Sequence, residues 1–287
     1  MAYRILHISD IHTGPPFQQA VADALVRQAH ALQADLVVIS GDFVQRADFV
    51  AQWEAACRFR EALPGPQLVV PGNHDVPLYN LPLRLVNGLG RYRRYISADL
   101  SPVFTLPGLV VAGAVTAQGW TFDSGWLARR QAAALRRTLR SYGPEVYKIV
   151  VWHHPVMNPP GVLKNRAMRG AKQAIRLLDE CDVDMLLCGH IHVNYVGTTL
   201  DIVRDLGRGT IVCHSGTTTS KRGYGRERGK NSCNLIEVGA QTVTVNPLIF
   251  NPLVGRFEHT AAHVFPRRVV APQPSLASAA PKLQTSS

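Results

Sequence analysis

Short apolar runs recur through the first two-thirds of the chain, and each one ends in a polar turn. Runs of this length that lack polar alternation are typical of strands buried on both faces of a sheet. We therefore predict buried strands in five places, with the sequences RILHIS before Asp10, DLVVIS before Gly41, QLVV before Pro71, YKIVVW before His153 and DMLLC before Gly189.

Helical patterns separate these runs. In residues 17–33 the apolar positions Val21, Leu25 and Leu32 fall roughly on one stripe, which is the pattern of a helix packed against a core. Strand and helix alternate, so this part of the chain is predicted to form an α/β sandwich. Similar patterns predict three further helices, over residues 49–63, 127–142 and 171–181.

The pattern changes after Gly189, where strand-like segments follow one another with few helices between them. The segments TIVCHSG, NSCNLIEV and QTVTVNPLIF predict an antiparallel addition at the edge of the sheet. The final residues are rich in proline, alanine and serine and have little apolar surface to bury. We predict one domain over residues 1–265 and a disordered tail over residues 266–287.

Composition places the chain among globular proteins. Its 287 residues are 46% hydrophobic, which is enough for one large core. No window approaches the roughly 18 uninterrupted apolar residues that a membrane helix needs. The first residues reach the polar sequence SDIH before a signal-peptide core could form. We therefore expect a cytoplasmic protein without a membrane span.

Cysteine content and charge narrow the classes of function. The five cysteines are scattered and contain no CxxC pair. They indicate reduced thiols and argue against a disulfide framework or a zinc knuckle. The formal net charge of +11 favours an anionic partner. This signal is weak, because many basic proteins bind no nucleic acid.

Side chains that bind metal ions follow each of the five predicted strands. The carboxyl ends of strands in α/β sheets converge on one crevice, so we expect these side chains to meet there. Pairs spaced by two residues, as in SDIH and GHIH, point the same way where the backbone stays extended. A lone strand histidine such as His7 is instead expected to be a core residue. The candidate ligands are Asp10, His12, Asp42, Asn73, His153, His190 and His192.

The types and number of these ligands indicate two metal ions. A mixture of carboxylate, imidazole and amide groups without a thiolate suits manganese, iron or zinc. Seven ligands exceed what one ion takes once a position is left for water. Two divalent or trivalent ions that share a bridging carboxylate account for the number, so the sequence predicts a two-metal site.

The order and spacing of these motifs resemble the calcineurin-like metallophosphoesterase family. The resemblance covers about residues 4–236 and rests on SDIH, SGD, GNHD, HHP and GHIH. It implies a four-layer αββα sandwich, in which two mixed β-sheets pack face to face and are flanked by helices. It also implies one ion held by Asp10, His12 and His192, a second held by Asn73, His153 and His190, and Asp42 as the bridge.

The resemblance also implies roles beside the ions. His74 is the expected proton donor to the leaving oxygen, and Asp75 is expected to orient its ring and raise its pKa. Two ions about 3.5–4 Å apart would bind a hydroxide and the phosphoryl oxygens in an in-line displacement. Asn73, His74 and His192 are the expected substrate contacts. His154 is expected to be a pocket wall or a packing residue.

Within the family, the SGT segment and the Asn-x-x-Asn-Leu-Ile strand at residues 231–236 resemble class III cyclic-nucleotide phosphodiesterases. We expect a phosphodiesterase acting on small anionic phosphate esters, with cyclic nucleotides favoured. Residues 84–95 are a candidate cap and residues 220–230 a candidate mobile phosphate-seeking loop. Both are also typical of a solvated charged surface. His214 is expected to be an ordinary polar strand end.

Three other functions stay open. A nucleotide–lipid pyrophosphatase similar to the UDP-diacylglucosamine hydrolases would need an apolar cap for acyl chains, and the sequence shows no convincing apolar helical insertion. A DNA nuclease is favoured by the charge but usually carries a further DNA-binding region, so nucleic acid is a less favoured partner. A non-catalytic interaction module on the same fold would be expected to lose ligands, and this ligand set is complete.

Overall fold

The computed structural model describes residues 2–162 and 166–267. Its strands form two sheets, and its helices cover the outer faces. The strands are β1 (Tyr3–Ile8), β2 (Leu36–Ile39), β3 (Gln67–Val69), β4 (Val103–Leu106), β5 (Leu109–Gly113), β6 (Tyr147–Val151), β7 (Met185–Cys188), β8 (Tyr195–Thr198), β9 (Ile211–His214), β10 (Ser232–Val238), β11 (Thr242–Asn251), β12 (Arg256–His259) and β13 (His263–Pro266). The α-helices are α1 (Gln19–Leu32), α2 (Val50–Ala62), α3 (Leu81–Asn87), α4 (Gly90–Tyr95), α5 (Arg129–Arg140) and α6 (Ala171–Glu180).

Both sheets are mixed. The first has the order β12-β11-β10-β1-β2-β3, with β13 also paired to β11, and the second has the order β4-β5-β6-β7-β9-β8. Strands β1, β2 and β3 run parallel, as do β5, β6, β7 and β9. The carboxyl ends of the parallel strands in each sheet therefore lie along one edge, which is where the predicted ligands begin.

Four layers explain why the strand sequences are apolar at consecutive positions. In β2, Leu36 and Val38 pack into the core between the two sheets, whereas Val37 and Ile39 pack into the core shared with α1 and α2. In the second sheet, β6 and β7 divide their residues in the same way between the inner core and the core beneath α5 and α6. The predicted αββα fold is confirmed.

The four predicted helices correspond to α1, α2, α5 and α6. The antiparallel addition is confirmed for β10 and β11, which extend the first sheet from β1. It is wrong for TIVCHSG, because β9 belongs to the second sheet and runs parallel to β7. Strands β4, β5, β8, β12 and β13, together with helices α3 and α4, were not predicted from the sequence.

The described sheet continues through Pro266, the last residue of β13, and Arg267 donates a hydrogen bond to the carbonyl of Gly108 at 3.0 Å. Ordered structure thus passes residue 265, where the predicted domain ends. Residues 268–287 of the predicted tail lie outside the described residues. Within residues 2–162 and 166–267, no helix is both long and apolar enough to cross a lipid bilayer.

Candidate metal centre

The loops after β1, β2, β3, β6 and β7 meet at one edge of the sandwich and bring all seven predicted ligands together. Backbone hydrogen bonds join the first two loops, since the amides of Asp10 and His12 donate to the carbonyls of Gly41 and Asp42, each at 3.0 Å. The amide of His190 donates to Asp10 Oδ2 at 2.9 Å and so ties the second sheet to the first.

The ligand loops are held in an unusual backbone conformation. Asp10, His12, Asp42, His190 and His192 all have positive φ, between 52° and 73°. This left-handed region is sparsely populated by residues other than glycine and marks functional sites. We expected an extended backbone to point side chains two residues apart in the same direction. That expectation is wrong, because the backbone at these ligands is left-handed. Left-handed turns bring each pair to the same side.

In one half of the site, three ligand atoms face one another. Asp10 Oδ1 lies 3.0 Å from His192 Nε2 and 3.6 Å from His12 Nε2, and the two Nε2 atoms are 3.1 Å apart. All three side chains are nearly or wholly buried. Burial opposes ionisation, yet the surrounding histidines hold the pKa of Asp10 well below its usual range. Converging lone pairs around a buried carboxylate fit a bound cation.

In the other half, Asn73 Oδ1 lies 3.2 Å from His153 Nε2 and 3.0 Å from His190 Nδ1. Asp42 joins the halves, because its Oδ2 is 3.3 Å from His153 Nε2 and 3.7 Å from His12 Nε2. Burial opposes protonation of His153, but the Asp42 carboxylate raises its pKa to about 9. This effect is local to His153, because burial and the neighbouring His154 and His153 lower the pKa of His190.

Two ligand rings are fixed by their second nitrogen. His153 Nδ1 donates to the carbonyl of Ser40 at 2.7 Å, and His192 Nδ1 donates to the carbonyl of Arg222 at 2.8 Å. Such bonds set the tautomer and leave Nε2 free for a metal ion. In both rings the Nε2 atom is the one that faces the neighbouring ligands.

His74 is placed beside the ligands, but Asp75 does not orient it. The amide of His74 donates to Asp42 Oδ1 at 2.8 Å, and its Nδ1 donates to the carbonyl of Gln45 at 2.7 Å. The expectation that Asp75 orients the ring and raises its pKa is wrong. Gln45 holds the ring, and burial lowers the pKa of His74.

Asp75 instead joins two ligand loops. Its carboxylate accepts backbone N–H groups from Gly72, Asp42, Phe43 and Val44 at 2.8–3.2 Å. Burial and the nearby Asp42 carboxylate raise the pKa of Asp75, whereas the four N–H donors act in the opposite direction and favour the carboxylate. Asp75 is thus a positioning residue for the loops that carry Asp42 and the neighbouring asparagine ligand.

Three other histidines are buried near the centre. His7 and His214 lie in strands of the sandwich, in agreement with their predicted structural roles. His154 packs against the site as predicted, with its ring centroid 4.7 Å from that of His190. Its Nδ1 is 2.8 Å from Thr116 Oγ1, and one of its nitrogens lies within 4.8 Å of ligand atoms of His153 and His190.

Two arginines complete the site, and the sequence analysis did not single out either. Arg46, Arg222 and His74 line a cleft of about 250 Å³ beside the ligands. Arg222 donates to Gln45 Oε1 at 2.8 Å, and Arg46 Nη1 lies 3.0 Å from His74 Nδ1. Within residues 2–162 and 166–267, neither guanidinium forms an ion pair with a carboxylate.

Each of the two basic segments is anchored by buried side chains, and each also has exposed residues. In residues 84–95, Arg84 and Tyr92 are buried, so the segment is part of the cleft wall and core. In residues 220–230, Glu227 is buried and accepts from the amide of Asn194 at 2.9 Å.

The sequence signal that could have marked Arg222 is its place in the SKRG sequence, directly before the glycine-rich turn.

The family model for calcineurin-like phosphoesterase matches residues 3–194, which carry the whole set of ligands. The chain belongs to this family. Membership confirms the resemblance drawn from the motifs. The family, together with one cluster of three histidines and one cluster of two aspartates and two histidines, indicates two metal ions. No curated protein matches this chain significantly.

Solved structures agree with the family fold. A purple acid phosphatase from yellow lupin superposes with a TM-score of 0.69 over 97% of this chain at 13% identity, and the chain spans 57% of that protein. A dimetal phosphatase from Danio rerio gives 0.66 at 12% identity, over 91% of this chain and 98% of its own. GAP50 from Plasmodium gives 0.61 at 16% identity, over 93% and 89%. At these identities the likeness shows the fold alone.

Proposed function

We propose that the chain is a two-metal phosphodiesterase that acts on small anionic phosphate esters, with cyclic nucleotides as the favoured class. The position of Asp42 carries this proposal. Its Oδ2 atom lies between His12 Nε2 and His153 Nε2, at 3.7 and 3.3 Å, and so can serve both halves of the site. The family is one of phosphoester hydrolases, which agrees with the reaction class.

The ligands would divide between two ions. Asp10, His12 and His192 would hold one, while Asn73, His153 and His190 would hold the other, with Asp42 as the bridge. Bound ions of this kind lower the pKa of water and neutralise the charge of the phosphoryl group. The ligand types suit manganese, iron or zinc.

His74 is proposed as the proton donor to the leaving oxygen. Its Nδ1 donates to the Gln45 carbonyl at 2.7 Å, so Nε2 is the atom that would give a proton to the leaving oxygen when the ring is in the imidazolium form. Burial lowers the pKa of His74, which makes that imidazolium a stronger acid. Its ring centroid lies 4.7 Å from that of His12, which places it at the edge of the ligand group. A positioned acid of this kind contributes about 10²–10⁴-fold to rate.

Arg46 and Arg222 are proposed to bind the anionic substrate. Both guanidinium groups line the cleft without a carboxylate partner among the described residues, so they have donors to offer a phosphoryl or carboxylate oxygen. Phe122 also lines the cleft and is 57% exposed, which supplies a flat face for a nucleobase.

The test is hydrolysis of bis-p-nitrophenyl phosphate by the chain loaded with Mn²⁺. Asp42→Ala and Asn73→Ala should abolish turnover and lower bound metal, whereas the exposed Asp205→Ala should change neither. Activity that survives Asp42→Ala would refute the bridging role. A panel of 3′,5′- and 2′,3′-cyclic nucleotides, p-nitrophenyl phosphate, a lipid-linked diphosphate and single-stranded DNA then identifies the substrate. A clear preference for the monoester would refute the phosphodiesterase proposal.

A nucleotide–lipid pyrophosphatase is a second candidate, because one observation favours it. Helix α3 carries exposed apolar residues beside the cleft, with Leu85 67% and Val86 87% exposed. The sequence analysis found no apolar insertion because this helix is only seven residues long. The DNA nuclease would instead be favoured by duplex binding that falls steeply with salt. Mn²⁺-dependent turnover would exclude the non-catalytic module.

A further inference from the structure

Exposed apolar side chains gather on one side of the cleft. Each of six such residues has between 50% and 87% of its surface exposed. Contiguous exposed apolar surface of this kind marks an interaction site, whereas single exposed residues do not. We name this surface the apolar collar, and it consists of Tyr79, Leu81, Leu85, Val86, Trp120 and Phe122.

The two parts of the collar, around α3 and at residues 120–122, lie next to each other. Arg84, which is buried beneath it, donates to the carbonyls of Pro77 and Thr121 and so ties the residues around α3 to residues 120–122. The Arg84 guanidinium also lies 4.4 Å from the centroid of the Phe122 ring. A Cβ on Gly119 would stand 2.2 Å from the Arg84 carbonyl, which shows how closely the two backbones approach.

The collar also borders the metal centre. Phe122 lies on the cleft wall, and its carbonyl is 3.5 Å from Nδ2 of the ligand Asn73. On the other side of the collar, the Tyr79 and Phe49 rings are 6.3 Å apart. Whatever covers the collar therefore lies next to the mouth of the cleft.

Basic side chains outnumber acidic ones around the collar, although Asp48 accepts from the amides of Leu78, Tyr79 and Asn80, and Asp123 follows Phe122. Residues 76–96 contain four arginines and no acidic residue. Arg93 and Arg94 are exposed, and the Arg169 guanidinium lies 5.9 Å from the centroid of the Trp120 ring. A second copy of the chain would place like charges against one another, which disfavours self-association through this surface.

The described part of the chain ends away from the collar. Arg267 is hydrogen-bonded to the carbonyl of Gly108, directly before β5 begins. Strand β5 runs parallel to β6, which ends two residues before the ligand His153. The chain therefore leaves the described structure at the end of the sandwich opposite the metal centre and the collar.

We propose that the collar docks onto an anionic phospholipid surface and holds the cleft at the level of the headgroups. Aromatic and aliphatic side chains together with arginine are the composition of segments that lie in the membrane interface. Basic residues near such a surface are attracted by anionic lipids. The docking is a property of the surface and does not depend on the proposed phosphodiesterase activity.

The experiment uses the full chain and vesicles of phosphatidylglycerol and phosphatidylcholine, with pure phosphatidylcholine vesicles for comparison. Co-sedimentation should show binding to the anionic vesicles that is at least tenfold stronger. Leu85→Gln/Val86→Gln should weaken it at least tenfold. Leu253→Gln/Val254→Gln is the matched control, because these residues are 93% and 53% exposed on the turn between β11 and β12, outside the collar.

Tryptophan fluorescence adds a readout at the collar itself. Trp53 and Trp152 are fully buried, whereas Trp120 is 50% exposed. Trp126, the fourth tryptophan, is partly buried, and its ring centroid lies 5.1 Å from that of Trp120, so it reports on the same place. Anionic vesicles should shift the emission to the blue, and Trp120→Phe should reduce the shift. Vesicle binding that is absent, or unchanged in Leu85→Gln/Val86→Gln, overturns the proposal. So does a dimer in solution that this double variant dissociates, which would make the collar a protein interface.

Discussion

The network around Asp75 gives the sharpest test of how the ligand loops are held. Its buried carboxylate accepts two backbone N–H groups on each oxygen. In Asp75→Asn, the amide oxygen can accept two of them, while the amide nitrogen faces the other two as a donor. A buried N–H without an acceptor costs about 1–3 kcal/mol, so two of them should lower the free energy of unfolding by about 2–6 kcal/mol.

The assay is urea denaturation of the Mn²⁺-loaded chain and of the same chain after chelation, with bound metal measured by mass spectrometry. Asp75→Asn should lose stability in both states and hold less metal, because the loops that carry Asp42 and Asn73 are no longer tied together. The control is Asp205→Asn, whose side chain is 74% exposed. A surface change of this kind should stay within about 0.5 kcal/mol.

The opposite result would restore the interpretation drawn from the sequence. If Asp75 acted chiefly on His74, Asp75→Asn would keep its stability and its metal, and only the dependence of turnover on pH would shift. That outcome would refute the account based on the N–H donors of Gly72, Phe43 and Val44.

Three further predictions concern the site and its surroundings. In Gly72→Ala the new Cβ would stand 2.2 Å from Asp42 Oδ1, so bound metal should fall, whereas Gly207→Ala, 3.5 Å from the nearest atom, should be neutral by the same measurement. Burial lowers the pKa of His214 to about 3 from its ordinary 6.5. Between pH 3 and pH 6.5 the His214 ring is therefore protonated in the unfolded chain and neutral in the folded chain. Stability should therefore fall on acidification by up to about 1.4 kcal/mol per pH unit, and His214→Leu should flatten that slope in urea titrations at several pH values. Arg222→Gln should lower kcat/KM about 10–100-fold with bound metal unchanged, and the exposed Lys221→Gln should not.

The strands and the ligand types could be predicted because their signals are local. A strand between two cores is apolar at every position, as β2 is from Leu36 to Ile39, and this pattern is visible without the partner strands. The ligands follow directly after such strands. Parallel strands then bring Asp10, Asp42 and His153 to one edge, because the direction of the strands fixes where their loops lie.

The supporting contacts could not be predicted because they join distant parts of the chain. Nothing near Asp75 in the sequence shows that its carboxylate accepts N–H groups 31–33 residues earlier. Arg222 lies 177 residues from Gln45, to which it donates, and charge alone did not separate it from its basic neighbours. The strand β9 was misplaced for a similar reason, since its apolar pattern does not reveal which sheet it joins.

The backbone at the ligands shows what holds the site in place. Left-handed backbone costs a residue with a side chain about 1–2 kcal/mol, and five ligands adopt it. Hydrogen bonds between loops offset that cost, since Asp10 and His12 donate to the second loop and His190 donates to the Asp10 carboxylate. These bonds use only atoms of the chain and are anchored on strands packed between apolar cores. The fold therefore fixes the backbone of the loops that carry the ligands.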